Sequence, residues 1–161
     1  MNKISSTKYQ GLYITTLSVL LLLATCEIRI PIGVVPITLQ TFVAYLLGLQ
    51  LDKRSAISTG IAFVAIKMFT LPVLTYPTFG YITGIGLAIP GMCYLREVLG
   101  SKFVTCIIGY IITTIFGTLW LRHFLPNWHA VWLHGVAPFL LGDTIKIVGA
   151  VYASKYLAKR R

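Results

Sequence analysis

The chain of 161 residues is 57% hydrophobic, has a mean hydropathy of +0.82 and carries a formal charge of +10, with four acidic residues in all: Glu27, Asp52, Glu97 and Asp143. That much apolar surface cannot be hidden in a soluble core of this size, so an ordinary soluble domain is excluded and a multi-span membrane protein is predicted. The charge is no nucleic-acid footprint either, because the fourteen Lys and Arg residues are spread between apolar segments and form no aromatic-interleaved basic face.

Taken in order, a polar arm with Lys3 and Lys8 precedes a first apolar segment, Leu12 to Cys26. Leu23-Ala-Thr-Cys26 imitates a lipoprotein cleavage box, but Thr fits poorly before the Cys and several spans follow, so a retained helix is expected. Glu27-Ile-Arg-Ile-Pro-Ile-Gly-Val-Val-Pro36 breaks the helix, and Ile37 to Leu51 forms the second span. Thr38, Gln40 and Thr41 at its entrance suit backbone caps and ligand contacts equally. After the turn Asp52-Lys-Arg-Ser55, a third span runs from Ala56 to about Leu71, with Lys67 near its far end. Lys67 is placed either to snorkel to the interface or to supply a cation to a pocket.

The fourth span, Gly80 to Leu95, carries Gly80, Gly84, Ala88 and Gly91 at helical spacing, a small-residue stripe that lets another helix approach closely. Tyr81 and Thr83 lie on other faces and are free to contact a ligand. Phe103 to Phe124 is a fifth span that reads as scaffold, with Trp120, Trp128 and Trp132 clustered at its exit as interfacial aromatics are. His123, His129 and His134 share that region on a predicted loop, but without a carboxylate or cysteine among them no metal site is expected. Cys26, Cys93 and Cys106 have no disulfide or metal spacing and read as small core residues.

The sixth span, Val136 to Leu157, contains Val136-Ala-Pro-Phe-Leu-Leu-Gly-Asp-Thr-Ile-Lys-Ile-Val-Gly149. Pro138 suits its first turn. Asp143 and Lys146, three residues apart, share one face. Ionisable groups at such depth are costly and mark a functional site by default; the competing role is an ion pair that only clamps helices.

The expected architecture is thus all-α, a single six-helix transmembrane domain over residues 1–161. Of the basic residues flanking the spans, ten (Lys3, Lys8, Lys53, Arg54, Arg96, Lys102, Lys155, Lys159, Arg160, Arg161) fall on one side and two (Arg29, Arg122) on the other, which puts both termini in the cytoplasm. Several spans are shorter than the roughly 20 residues a perpendicular crossing needs, so some flanking loop must sit at membrane depth, sheltered by protein or lining a cavity. Thr38, Gln40, Thr41, Lys67, Tyr81, Thr83 and Asp143, the last about 8 Å into its helix at 1.5 Å per residue, then all lie in the outer half. The inner halves carry no charge before the cytoplasmic turns. That pattern is an outward-facing capture pocket, not a channel.

No Gly-x-x-x-x-Gly-Lys-Ser/Thr loop is present, so the chain cannot hydrolyse ATP by that means, and Gly100-Ser-Lys102 is too short an imitation. No hydrolase motif or paired-carboxylate arrangement occurs either. A carrier component that depends on partners is the class that remains.

Three segments carry a resemblance. Val35-Pro-Ile-Thr-Leu-Gln-Thr-Phe42, Pro77-Thr-Phe-Gly-Tyr81 and Pro138-Phe-Leu-Leu-Gly-Asp-Thr-Ile-Lys146 resemble the three signatures of the BioY family, the biotin-binding S components of energy-coupling factor (ECF) transporters, and span nearly the whole chain in order. The resemblance implies a multi-pass protein of the cell (inner, cytoplasmic) membrane that captures biotin from outside without a cofactor, working with a transmembrane coupling protein and two cytoplasmic ATPases. It implies that Asp143 holds the ureido ring and that Lys146 assists near the carboxylate. Two departures stand out: Leu71-Pro-Val73 is followed almost at once by Pro77, with Phe79 in the place of a glycine and no counterpart to an arginine that some relatives carry in that stretch, which leaves Lys67 or Lys146 as carboxylate partners; and the first helix lacks the small-x-x-x-small pattern that S components use to dock on the coupling protein, since Thr15, Thr16 and Ser18 are each followed four residues later by Val19, Leu20 and Leu22. The alternatives are an S component for another small vitamin or metabolite, and a small intramembrane enzyme pairing Asp143 with a loop histidine.

Overall fold

The computed structural model describes residues 3–31 and 34–159, with side chains from residue 9 onward. Arg160 and Arg161 and the side chains of Lys3 and Lys8, which entered the charge asymmetry above, lie outside the described residues, as do Ile32 and Gly33. Among the described residues, seven α-helices and one two-stranded hairpin follow in the order α1 (Lys3–Glu27), β1 (Arg29–Ile30), β2 (Ile37–Thr38), α2 (Gln40–Gln50), α3 (Lys53–Thr70), α4 (Phe79–Leu99), α5 (Lys102–Leu121), α6 (Trp128–Gly135) and α7 (Ala137–Lys159). A single 3₁₀ turn, Val73–Thr75, joins α3 to α4. The chain is an all-helical, multi-pass membrane protein, and four of its segments (Tyr9–Glu27, Phe79–Leu99, Lys102–Leu121, Trp128–Lys159) are long and apolar enough to cross a bilayer.

The six predicted spans fall on α1 to α5 and α7, with two corrections. The second span is shorter than Ile37 to Leu51: α2 has 11 residues, about 17 Å at 1.5 Å per residue, and the preceding residues are β-structure. The segment holding His129 and His134 is not a loop but α6. Asn127 starts it, accepting the backbone N–H of Ala130 at 2.8 Å, the usual service of an N-cap asparagine.

Small residues decide how closely the helices approach. On α4, a Cβ added at Gly84 would meet the α5 backbone at Thr113 Cα and O, both at 2.8 Å, and one added at Gly80 would run into Phe116 O and Trp120. The predicted stripe is therefore the α4–α5 contact. On the α3 side of α4, Pro90 lacks the N–H that would bond the carbonyl four residues earlier, and it is there, at Gly86 O, that Gly60 of α3 comes closest. Two glycines meeting at a carbonyl freed by proline bring α3 and α4 together backbone to backbone.

Leu22 of α1, Val43 and Ala44 of α2, Phe63 of α3 and Ile82, Ile85 and Ile89 of α4 form the main core cluster. A second cluster, with Tyr45, Met92, Cys106 and Ile147, joins α2, α4, α5 and α7.

The end of the bundle that carries most of the described basic residues is held by polar contacts. Asp52 caps α3 by accepting from Arg54 N and Ser55 N, both at 3.1 Å, and the Ser55 hydroxyl and these bonds hold its carboxyl below the usual range against a smaller opposing effect of burial. Lys53 and Glu97 pair at 2.6 Å, a half-exposed contact of small stabilising value. Gln50 and Lys102 both donate to the buried Ser154 Oγ at 3.0 Å, tying α2 and α5 to α7.

Candidate functional site

At the opposite end, the α1 C-terminus, the hairpin, the N-terminal turns of α2, α4 and α7 and the C-terminal half of α5 enclose a cavity of about 80 Å³. Since about 10–15 Å³ of such space holds one water, the cavity has room for a small organic molecule and is too large for a single ion. Its walls differ in character. Leu71, Tyr76, Tyr81, Ile82, Ile85 and Phe139 make an apolar and aromatic surface, whereas Thr41, Asp143 and Lys146 gather the polarity on the α2–α7 side.

The polar side is a closed three-residue arrangement. Asp143 is 5% exposed and its Oδ1 accepts from Thr41 Oγ1 at 3.0 Å and from Lys146 Nζ at 2.9 Å; Lys146 Nζ donates also to Thr41 Oγ1 at 2.9 Å. Asp143 and Lys146 come together because residues three apart on a helix share a face, and α2 packs its first turn against that face. The pair is an ion pair within α7 that bonds Thr41 of α2, and both of its residues line the cavity. Every described bond to the carboxylate falls on Oδ1, and Oδ2 has no hydrogen-bond partner among the described residues. The site keeps one strong acceptor unused beside a neutralising ammonium.

Other predicted residues divide. Thr38 lines the cavity from β2, not from the entrance of a helix. Gln40 lines it too, but its amide donates to Leu22 O of α1 at 3.1 Å and so fastens α2 to α1. Tyr81 presents its ring to the cavity while its hydroxyl donates to Gly135 O at 2.8 Å, spending the donor on α6. Thr83, two positions on, faces away from the cavity lining and donates to Phe79 O and Gly80 O of its own helix. Lys67 does not snorkel and does not reach the cavity lining: it is 8% exposed, with its Nζ 3.4 Å from Cys26 Sγ.

Three contributions were missed in the sequence. Cys26 is not a core residue like Cys93 and Cys106 but lines the cavity. Arg29 lines it from β1. Its register partner is Thr38, and β-branched residues on either side of the turn, Ile28-Arg-Ile30 and Val35-Pro-Ile-Thr38, were the available signal for a hairpin. Thr113 and Thr114 complete the α5 side from a span read as plain scaffold. Among the described residues no group of His, Cys, Asp and Glu is arranged to hold a metal.

Comparisons with known proteins agree with one another. The chain is 28% identical over 158 positions to the biotin transporter BioY2 of Lactococcus lactis subsp. cremoris (strain MG1363), covering 89% of this chain and 87% of that one. It is 31% identical over 153 positions to a probable biotin transporter BioY of Lysinibacillus sphaericus, covering 83% and 76%, and 27% identical over 143 positions to one from Pyrococcus horikoshii (strain ATCC 700860 / DSM 12428 / JCM 9974 / NBRC 100139 / OT-3), covering 81% and 85%. The crystal structure of an S-component for biotin from an ECF-type ABC transporter superposes with a TM-score of 0.82 over 99% of this chain and 95% of that chain at 20% identity, which makes the fold the same. With the model of the BioY family matching residues 1–161 from end to end, the chain belongs to the BioY family.

Proposed function

We propose that the chain is the substrate-capturing S component for biotin uptake, a binding and transport protein and not an enzyme. The observation that carries the reading is the unused Asp143 Oδ2 beside Thr41 and Lys146, in a cavity that also presents a broad apolar and aromatic surface. Biotin's ureido ring offers two N–H donors and a carbonyl, its thiophane ring and chain are apolar, and it ends in a carboxylate. A buried carboxylate acceptor suits the ureido N–H groups through charge-assisted bonds, and Thr41 and Lys146 lie beside it to meet the ureido carbonyl. Gln40 and Thr38 supply further polar edges; Tyr81 supplies a ring face. Lys67 and Thr83 have no part in this reading. The enzyme alternative would pair Asp143 with a histidine, but the described partners of Asp143 are Thr41 and Lys146. Equilibrium binding of tritiated biotin to the purified chain tests the proposal: saturable binding of one biotin per chain is expected, and no binding by a folded sample rejects it.

The surrounding assembly is part of the same proposal. Residues 1–161 act as a single six-span domain in the cell membrane, α2 and α3 crossing although neither is long and apolar enough alone, with partners supplying the ATP hydrolysis: a transmembrane coupling protein and two cytoplasmic ATPases. The hairpin supports α2, since its paired strands satisfy backbone groups that lipid could not. Both termini face the cytoplasm and the cavity faces outward. A reporter fused after Arg161 should accordingly read cytoplasmic, and a reading from the outer side would reverse the direction of capture.

A further inference from the structure

We infer that Arg29 is the anion anchor of the cavity, giving it a preference for ligands that end in a carboxylate; this rests on the biotin reading and deepens it. Two cationic side chains line the cavity, Arg29 and Lys146. Lys146 is already occupied, bonded to both Asp143 and Thr41, and its charge is balanced within the wall. Lys67 is turned toward Cys26 and Arg122 donates to Leu125 O at 2.8 Å, and neither lines the cavity. Arg29 is different: among the described residues its side chain has no hydrogen bond or ion pair, and Glu27, two residues earlier, is not within ion-pair distance of it.

The hairpin aims it. Arg29 pairs directly with Thr38 in the β1–β2 ladder, and residues directly opposite in an antiparallel pair project from one face. Both line the cavity, so that face of the hairpin borders it, and Arg29 is exposed there. An arginine is charged at every physiological pH and presents parallel N–H groups that match a carboxylate in two-point geometry. An unpaired arginine and an unused carboxylate oxygen on residues of one cavity, whose lining also includes apolar and aromatic side chains, fit a molecule that is a neutral N–H donor at one end, apolar in the middle and anionic at the other.

The test compares biotin with biotin methyl ester on the purified full chain. Wild type should bind biotin more tightly than the ester. Arg29→Gln should weaken biotin about ten-fold or more while leaving the ester unchanged, so that the two affinities converge, and Arg29→Lys should restore part of the preference. Retained ester binding shows at once that the variant is folded. Lys146→Ala should weaken both ligands alike, because it unbalances Asp143 without touching the tail. The inference is overturned if the preference for biotin survives Arg29→Gln, if Arg29→Gln weakens both ligands equally, if Lys146→Ala is the change that abolishes the preference, or if wild type binds biotin and ester equally. In all of these the biotin reading stands. If wild type binds neither ligand, the biotin reading falls and takes the anchor with it.

Discussion

Asp143→Asn will weaken biotin binding about ten- to a hundred-fold and will also lower the thermal stability of the protein. The first effect follows from the acceptor. A hydrogen bond to a charged group contributes about 1.5–3 kcal/mol net, and an asparagine presents to the ureido N–H groups an amide of half-wrong polarity. The second follows from the partner left behind. Lys146 has a side chain only 12% exposed and loses its counter-charge; removing one member of a buried pair costs about 3–5 kcal/mol, because an uncompensated charge remains. The two effects separate in the double variant Asp143→Asn with Lys146→Met, which removes the stranded ammonium and should recover much of the lost stability but none of the affinity. Titration of biotin into both variants, with thermal unfolding followed in parallel, reads the two quantities independently. Normal biotin affinity in the well-folded double variant would remove Asp143 from the site.

The charged pair was legible in the sequence because Asp143 and Lys146 stand in an apolar run where any ionisable group is conspicuous, and i, i+3 spacing alone puts them on one face. Thr41 joined them for a different reason: it begins an apolar segment whose first turn could only lie near that depth. What spacing could not reveal was which way each remaining side chain turns. Lys67 has the same composition signal as Lys146, yet its ammonium meets Cys26 because α3 packs against α1 along that face, a fact of tertiary packing with no local trace. Tyr81 and Thr83 are equally near the start of α4, but two residues on a helix are about 200° apart, so one ring lines the cavity and the other hydroxyl folds back on its own helix. Arg29 was hidden in a strand of two residues, too short for any periodicity to show. Its aim is set by pairing with Thr38 nine positions later. The eight residues of α6 carried a readable start in Pro126-Asn127, obscured by two histidines and two tryptophans that looked interfacial.

Along the small-residue stripe of α4, substitutions will differ steeply in cost although every position looks equivalent in the sequence. Gly84→Leu should abolish most folded yield, whereas Thr83→Ala, next to it, should melt within a few degrees of wild type. At Gly84 even the first carbon of a side chain would meet Thr113 Cα and O of α5 at 2.8 Å. Backbone cannot rotate out of the way as a side chain can, so the helices must separate, and inserting extra carbons into a packed interior typically costs about 1–3 kcal/mol before such separation is counted. The damage would extend to the cavity, because Thr113 and Thr114 line it from the α5 side and Tyr81 from the α4 side. At Thr83 the hydroxyl donates only to carbonyls of its own preceding turn, a bond that contributes little to a helix. Gly91 supplies the finer comparison: a Cβ there meets only the mobile tip of Ile112, Cδ1 at 3.3 Å, so Gly91→Ala should be tolerated where Gly84→Ala is not. Yield of monodisperse protein and melting temperature for these four variants measure the gradient. If Gly84→Ala and Gly91→Ala behave alike, α4 and α5 do not meet backbone to backbone at Gly84, and the close approach that shapes the α5 side of the cavity is wrong.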